Sequence, residues 1–202
     1  MNKELNKLTK AETLENLLKL KSNIKFEIPK YIYFEKKELI NDSKRILSLI
    51  KKKFNSSKLI IRSSSINEDT KQYTNAGKYN SYVCKKNNIL KIKEKLTRIS
   101  NELENYDDQI IVQEYIENVK YSGVCFTREI NSNAPYFCFS IDYSGRTNSV
   151  TAGINSKQIK NYYIFKYKSK YFGKFNNLIK LFIDFENKYK ENCLDIEFAV
   201  KN

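Results

Sequence analysis

The residues best suited to chemistry are Arg62, Ser63, Ser64 and Ser65, which follow directly on Ile60 and Ile61 and lead through Glu68 and Asp69 to Ala76 and Gly77. An apolar β-branched run ending this way is how a buried strand delivers donors to a cleft. The Arg62 guanidinium is a planar fork suited to phosphate oxygens, and the serine hydroxyls and loop N–H groups can add neutral hydrogen bonds around it. A strand end of this kind is more often an ordinary structural turn, so both readings stand at this point. A second group is Asp195 and Glu197, set in an apolar stretch near the end of the chain. Strand alternation puts these carboxylates on one face and Leu194, Ile196 and Phe198 on the other. Paired hard oxygens suit Mg²⁺, which completes its octahedron with water and phosphates, but the pattern equally describes the polar face of an amphipathic strand. Lys10 stands in the first turn of an expected helix, where it opposes the helix dipole. A bound anion would remove that conflict, while a solvated lysine is the ordinary outcome.

Composition narrows the classes. A hydrophobic fraction of 41% with fifteen Tyr and twelve Phe belongs to a folded protein. No apolar run is long enough to span a bilayer, and the N-terminus is too charged for a signal peptide, so the chain reads as soluble and cytoplasmic with no membrane partner. The net charge of +14 comes mostly from lysine, with only five Arg, and Asn and Ile are abundant. That is a solvated surface able to attract an anionic ligand rather than a nucleic-acid-binding face, so no nucleic-acid partner is expected. Cys84, Cys125, Cys138 and Cys193 lack C-x-x-C spacing and read as reduced, buried thiols. Histidine is absent. This excludes a Ser-His or Cys-His nucleophile, a His-ligated metal and a phosphohistidine on this polypeptide.

The elements that must position these groups follow from periodicity. Helices are expected at 10–21 with Thr9 as N-cap, at 35–54, at 89–103 and at 174–190. Strands are expected at 24–34 around Pro29, and at 58–62, 79–84, 108–116, 119–127, 134–142, 149–153, 160–171 and 194–200. The 108–116 and 119–127 strands look like a hairpin, and the Ser122-Gly123 pair permits close backbone approach there. Helices intermixed with antiparallel-looking strands indicate an α+β fold.

Together these stretches resemble the nucleotide-binding domain of phosphoenolpyruvate synthase and pyruvate phosphate dikinase. Arg62-Ser63-Ser64 with Glu68-Asp69 and Ala76-Gly77 is similar to that family's V-R-S-S-x-x-x-E-D signature and its trailing A-G, without a gap. Lys10-Ala11 with Leu14 resembles its K-A-x-x-L segment, and Val112-Gln113 its V-Q hinge strand. Ser122-Gly123-Val124 with Phe126-Thr127 resembles S-G-V-x-F-T, and Asp195-Ile196-Glu197 with Ala199 resembles D-I-E-W-A. The resemblance implies an ATP-grasp fold in which two α+β lobes, 1–110 and 111–202, form one domain with mixed or antiparallel sheets and hold ATP between them. It implies that Lys10 and Arg62 contact phosphates and act in transfer, and that the backbone from Gln113 through Glu114 to Tyr115 reads the adenine edge. Ser63, Ser64, Glu68, Asp69, Gly77 and Thr127 fall at its other nucleotide-binding positions. Glu197, with Asp195 as a second ligand, would hold Mg²⁺.

Two departures shape the expectation. The family's strand is followed by an L-Q-x-R-P segment, whereas this sequence stops at Asn202, and the phosphohistidine and acceptor domains that normally follow are not in it. The chain is therefore expected to be a fragment of a longer phosphohistidine-relay phosphotransferase, with ATP and Mg²⁺ as ligands and the missing domains as partners. The stretch from Asp142 to Gly153 differs from the family's G-L-G-E-x-V-V-S-G segment, and Asp142 or Thr147 would have to replace its acidic residue. With the K-A-E-T-L start and Ile28-Pro29, this stretch is more similar to the L-glutamine kinases of capsule phosphoramidate biosynthesis, which phosphorylate the glutamine amide nitrogen. The alternatives are a phosphoenolpyruvate synthase-like kinase acting on pyruvate and a non-catalytic binding module that keeps the fold.

Overall fold

Polar punctuation sets where the elements begin. The computed structural model describes residues 8–20, 22, 24–65, 69–70, 73–74, 80–147, 157–168, 172–190 and 193–201. Helix α1, Lys10–Leu18, starts at a capping box: Glu12 N–H donates to the Thr9 hydroxyl at 3.2 Å, and Thr9 N–H donates to the Glu12 carboxylate at 2.9 Å. Strand β1 is confined to Tyr31–Glu35. Pro29 has no N–H to donate to a ladder, and residues 24–30 stay irregular, so the expected extended segment is shorter than its pattern. The single helix expected at 35–54 is two, α2 at Lys36–Asn41 and α3 at Ser43–Lys53. Asp42 leaves helical geometry, and its carboxylate accepts Arg45 N–H at 2.8 Å, recapping the chain.

The chain divides into two compact units, Met1–Lys19 with Glu27–Tyr115, and Leu20–Phe26 with Ile116–Asn202. In the first unit, β2 (Lys58–Ser64), β5 (Ser81–Lys85) and β6 (Gln109–Glu114) join β1 in an antiparallel sheet of order β1-β6-β2-β5. A short ribbon pairs β3 (Asp69–Thr70) with β4 (Tyr73–Thr74). Leu59, Ile61, Ile110, Val112 and Phe34 meet Ile46 and Ile50 of α3, and Ile92, Leu96 and Ile99 of α4 (Ile89–Glu102), to form this unit's core.

In the second unit, β7 (Val119–Phe126), β8 (Tyr136–Asp142), β9 (Ile159–Phe165) and β10 (Asp195–Lys201) form an antiparallel sheet of order β10-β7-β8-β9. The expected hairpin of 108–116 with 119–127 does not form. Both edges of β6 are occupied by β1 and β2, and both edges of β7 by β10 and β8, so the two strands enter different sheets. A 3-10 turn at Gly173–Phe175 leads into α5, Asn176–Tyr189, whose Phe182 packs against Phe139, Phe198 and the neighbouring Phe185. The Phe139 and Phe175 rings stack at 5.0 Å, while Phe137 meets Phe172 edge-on at 6.3 Å. The described residues are thus α+β, with antiparallel pairing throughout. The expected strand at 149–153 lies outside the described residues.

All four cysteines are free thiols; Cys84 and Cys125 are buried, Cys138 is partly so, and Cys193 is exposed. Burial therefore holds for Cys84 and Cys125, holds in part for Cys138, and fails for Cys193, which sits ahead of β10. No helix among the described residues is long and apolar enough to cross a membrane.

Gly123 answers a steric requirement. A Cβ there would lie 2.2 Å from the carbonyl oxygen of Ser140 on the neighbouring strand, closer than any real contact. Gly123→Ala is expected to lower the stability of the second unit by about 2 kcal/mol or more, the scale of overpacking against backbone that cannot move aside. Urea unfolding followed by circular dichroism checks this, and an unchanged midpoint would contradict it.

Candidate functional site

Register decides which of the candidate side chains share a face. On β2 the burial pattern alternates, with Leu59, Ile61 and Ser63 on the core side and Ile60, Arg62 and Ser64 on the other. Ser63 therefore projects with the core residues, and the run that looked like one set of donors is split by the pleat. Arg62 lies opposite Ile111, which lies opposite Tyr33; Ser64 lies opposite Gln109; and Ile60 lies opposite Gln113, which lies opposite Tyr31. Arg62, Ser64, Gln109 and Gln113 consequently share one face of the first sheet.

Helix α1 packs over that face through three polar ties. Ala11 N–H donates to the Ser64 hydroxyl at 3.0 Å, and the Thr9 hydroxyl donates to the Gln109 side-chain oxygen at 2.7 Å. The Tyr33 hydroxyl donates to the Glu15 carboxylate at 2.9 Å. Ser64 completes its pairing by donating to Gln109 at 3.4 Å. These bonds bring Lys10 and Arg62 into one neighbourhood, since Lys10 adjoins Ala11 and Arg62 stands two residues before Ser64. They also change the expected role of the helix terminus. The N–H groups of Thr9, Ala11 and Glu12 donate to protein acceptors, and the Glu12 carboxylate supplies the negative charge that favours a helix start. No external anion is needed to offset Lys10, so any phosphate contact there depends on its side chain. Gln109 is the functional group that spacing did not bring out. Its one signal is its place at the head of an apolar run, which is too common to single out.

The hinge segment is similarly engaged. Gln113 is 8% exposed on the central strand, while Glu114 N–H donates to the Lys30 carbonyl at 2.9 Å and Tyr115 N–H to the Lys58 carbonyl at 3.1 Å. Adenine recognition by this backbone would fall on carbonyl oxygens, which can accept a second hydrogen bond. Glu68 and Gly77 lie outside the described residues, and Asp69 is described only as backbone in β3.

In the second unit, Asp195 lies opposite Phe126 and Glu197 opposite Val124, on the sheet face away from α5. Both carboxylate residues are exposed, and Ile196 and Phe198 are half-buried, as alternation requires. Phe198 stands edge-on to Phe139 at 6.0 Å, which anchors the strand while leaving the acidic face outward. Thr127 is fully buried: its N–H donates to the Leu194 carbonyl at 2.9 Å, and its hydroxyl accepts Leu194 N–H at 2.9 Å. Thr127 is thus a latch that sets the start of β10. Asp142 is also fully buried, and its carboxylate accepts the N–H and hydroxyl of Ser144, both at 2.7 Å. Ser122 donates to the Arg146 carbonyl at 2.6 Å.

Asp195 and Glu197 fit a divalent cation as a pair of hard ligands. Among the described residues no group of three or more His, Cys, Asp or Glu side chains converges to hold a metal. A Mg²⁺ ion here would therefore take most of its coordination from water and a phosphate ligand. No protein-family model matches the chain, and no curated protein matches it significantly.

The Tyr33–Glu15 tie gives a titration that reports the docking of α1. The hydrogen bond to Glu15 raises the Tyr33 phenol from 10.0 to about 12, with burial adding to it. The tie stabilises the fold fully below the ordinary phenol value and is lost as pH rises through the range between 10.0 and about 12. Ultraviolet titration should show several late-ionising tyrosines, with Tyr33 among them, and Glu15→Gln should bring Tyr33 back towards the ordinary value. A wild-type titration unchanged by that substitution would contradict the docking.

Proposed function

We propose that this chain is an ATP-binding domain of the ATP-grasp type, belonging to a phosphohistidine-relay phosphotransferase similar to phosphoenolpyruvate synthase. The observation that carries the reading is the docking of α1 on β2. The Ala11–Ser64 hydrogen bond, spanning 53 residues of sequence, draws the K-A-x-x-L stretch and the R-S-S stretch into one neighbourhood. Such a neighbourhood is what phosphate binding by Lys10 and Arg62 together would need. The shared face of Arg62 and Gln113, and the outward carboxylates of Asp195 and Glu197, give further support.

In this reading the Arg62 guanidinium and the Lys10 ammonium hold the phosphate chain by charge and direct hydrogen bonds. Carbonyl oxygens near Gln113 accept from the adenine amine. Glu197 and Asp195 supply the cation ligands, and Mg²⁺, when bound, offsets charge on the phosphate oxygens. The chain has no histidine, so it can hold ATP but cannot itself carry the phosphohistidine of a relay. Glutamine as the final acceptor rests on the likeness of the stretch from Asp142 to Gly153, of which residues 148–153 lie outside the described residues.

A second reading is a non-catalytic module that keeps this fold for binding, and the shortage of converging metal ligands among the described residues favours it. Calorimetry with a non-hydrolysable ATP analogue separates the two. The first reading predicts saturable, Mg²⁺-dependent binding, weakened about tenfold or more by Arg62→Ala, the scale of one lost charge-assisted contact. In Glu197→Gln the Mg²⁺ dependence should fall while residual binding persists. A folded chain with no nucleotide affinity at millimolar analogue would favour the binding-module reading.

A further inference from the structure

The second unit carries an open surface pocket of about 420 Å³ lined by Tyr143, Lys157, Gln158, Lys160, Tyr162 and Lys174, in which all three lysines are exposed. We propose that it is a binding site for a small phosphorylated polyanion, separate from the nucleotide site proposed above.

The cavity's place in the sheet makes it separate. Lys160 lies opposite Ile141 and Tyr162 opposite Phe139, on the α5 side, whereas Asp195 and Glu197 occupy the other face. Its chemistry is cationic, with three lysines and no carboxylate among the described lining residues. Like charges gathered around one concavity repel each other, and an anion reverses the sign of that interaction. Lys160 and Tyr162 are two apart on β9 and so project to the same side, while Lys157 and Gln158 turn into that strand.

Lys174 is the most firmly positioned of the three lysines. Its ammonium donates to the Tyr143 hydroxyl at 2.9 Å and to the Tyr162 hydroxyl at 3.2 Å, and the two hydroxyls are themselves 3.2 Å apart. It also lies 4.8 Å from the Tyr162 ring centre and 5.2 Å from that of Tyr143. These contacts raise its pKa, the Tyr143 hydrogen bond most, so the cation is retained. Phenol and ammonium donors held against aromatic walls form a preorganised end to the cavity, and the exposed Lys157 and Lys160 supply charge at its mouth. The lysines and phenols converge on one concavity rather than along a stripe, which favours a compact ligand over a polymer lying on the surface. The ligand's phosphoryl oxygens would meet the lysines, and its carbon skeleton the tyrosine rings.

Inorganic pyrophosphate, titrated calorimetrically into the full 202-residue chain at low ionic strength, is the probe. A saturable site is expected that is weakened about tenfold or more in Lys157→Ala with Lys160→Ala, the scale of two lost charges at a partly exposed site. Both side chains are exposed, so circular dichroism should show the fold retained; Tyr162→Phe provides a milder variant with a smaller loss. A lysine-dependent site is expected beside any pyrophosphate held at Arg62: it should persist in Arg62→Ala, and the lysine double variant should leave binding of the ATP analogue unchanged. Absence of saturable binding, equal binding in the wild type and the double variant, or loss of all pyrophosphate binding in Arg62→Ala would overturn the proposal. Tighter binding of a mixed-sequence oligonucleotide than of pyrophosphate through the same lysines would also overturn it.

Discussion

The Ser64 hydroxyl, accepting from Ala11 N–H and donating to Gln109, is the constraint on which the docking of α1 on the first sheet depends. Ser64 is fully buried, so an unpaired hydroxyl or helix N–H there would cost about 1–3 kcal/mol. The network avoids that cost by committing the last residue of β2, the first residue of β6 and the first turn of α1 to one arrangement. Arg62 is carried along because it lies two residues back on the same face, and Lys10 because it is Ala11's neighbour. Placement of the cationic groups is thus a by-product of satisfying buried polar atoms, which gives it a rigidity that a surface lysine and arginine would not have alone.

The second unit reaches order by a different route. Its core is largely phenylalanine, with ring contacts linking β8, the turn before α5, α5 and β10. Across it, Lys166 and Glu186 form an ion pair at 2.6 Å with both side chains nearly buried, and the ammonium lies 4.9 Å from the Phe137 ring centre. Such a pair adds little net stability compared with an apolar replacement, but removing one partner strands the other, so it fixes the pairing of β9 with α5. At the start of β10, Thr127 holds Leu194 and thereby sets where the strand begins and which way Asp195 and Glu197 point.

Local chemistry was legible in the sequence where the determinant is local. The Thr9 cap with Glu12 three residues on, the alternation in β10 and the small Ser122-Gly123 pair could all be read directly. Asp42 carried a capping signal that the continuous periodicity of the flanking helices obscured. Pairing was less legible because it is decided between distant segments. Nothing in residues 109–126 shows that β1 and β2 already occupy both edges of β6. The split between Arg62 and Ser63 follows from the period of a strand, but the run of hydroxyls suggested a turn and the strand continues through Ser64. Gln109 and the lysine-tyrosine cavity were missed for the same reason, since their members come from separate segments.

The central claim is the proposal that the chain binds a nucleotide, its phosphates meeting the Lys10 and Arg62 neighbourhood of the first unit. Backbone amide NMR shifts of the isotope-labelled chain, followed as the magnesium complex of a non-hydrolysable ATP analogue is added, test it most directly. The account predicts saturable shifts at residues 10–12, 62–64 and 195–197, and little change at Tyr143, Lys160 and Lys174. Shifts confined to those last three residues, or none at saturating analogue, would contradict it.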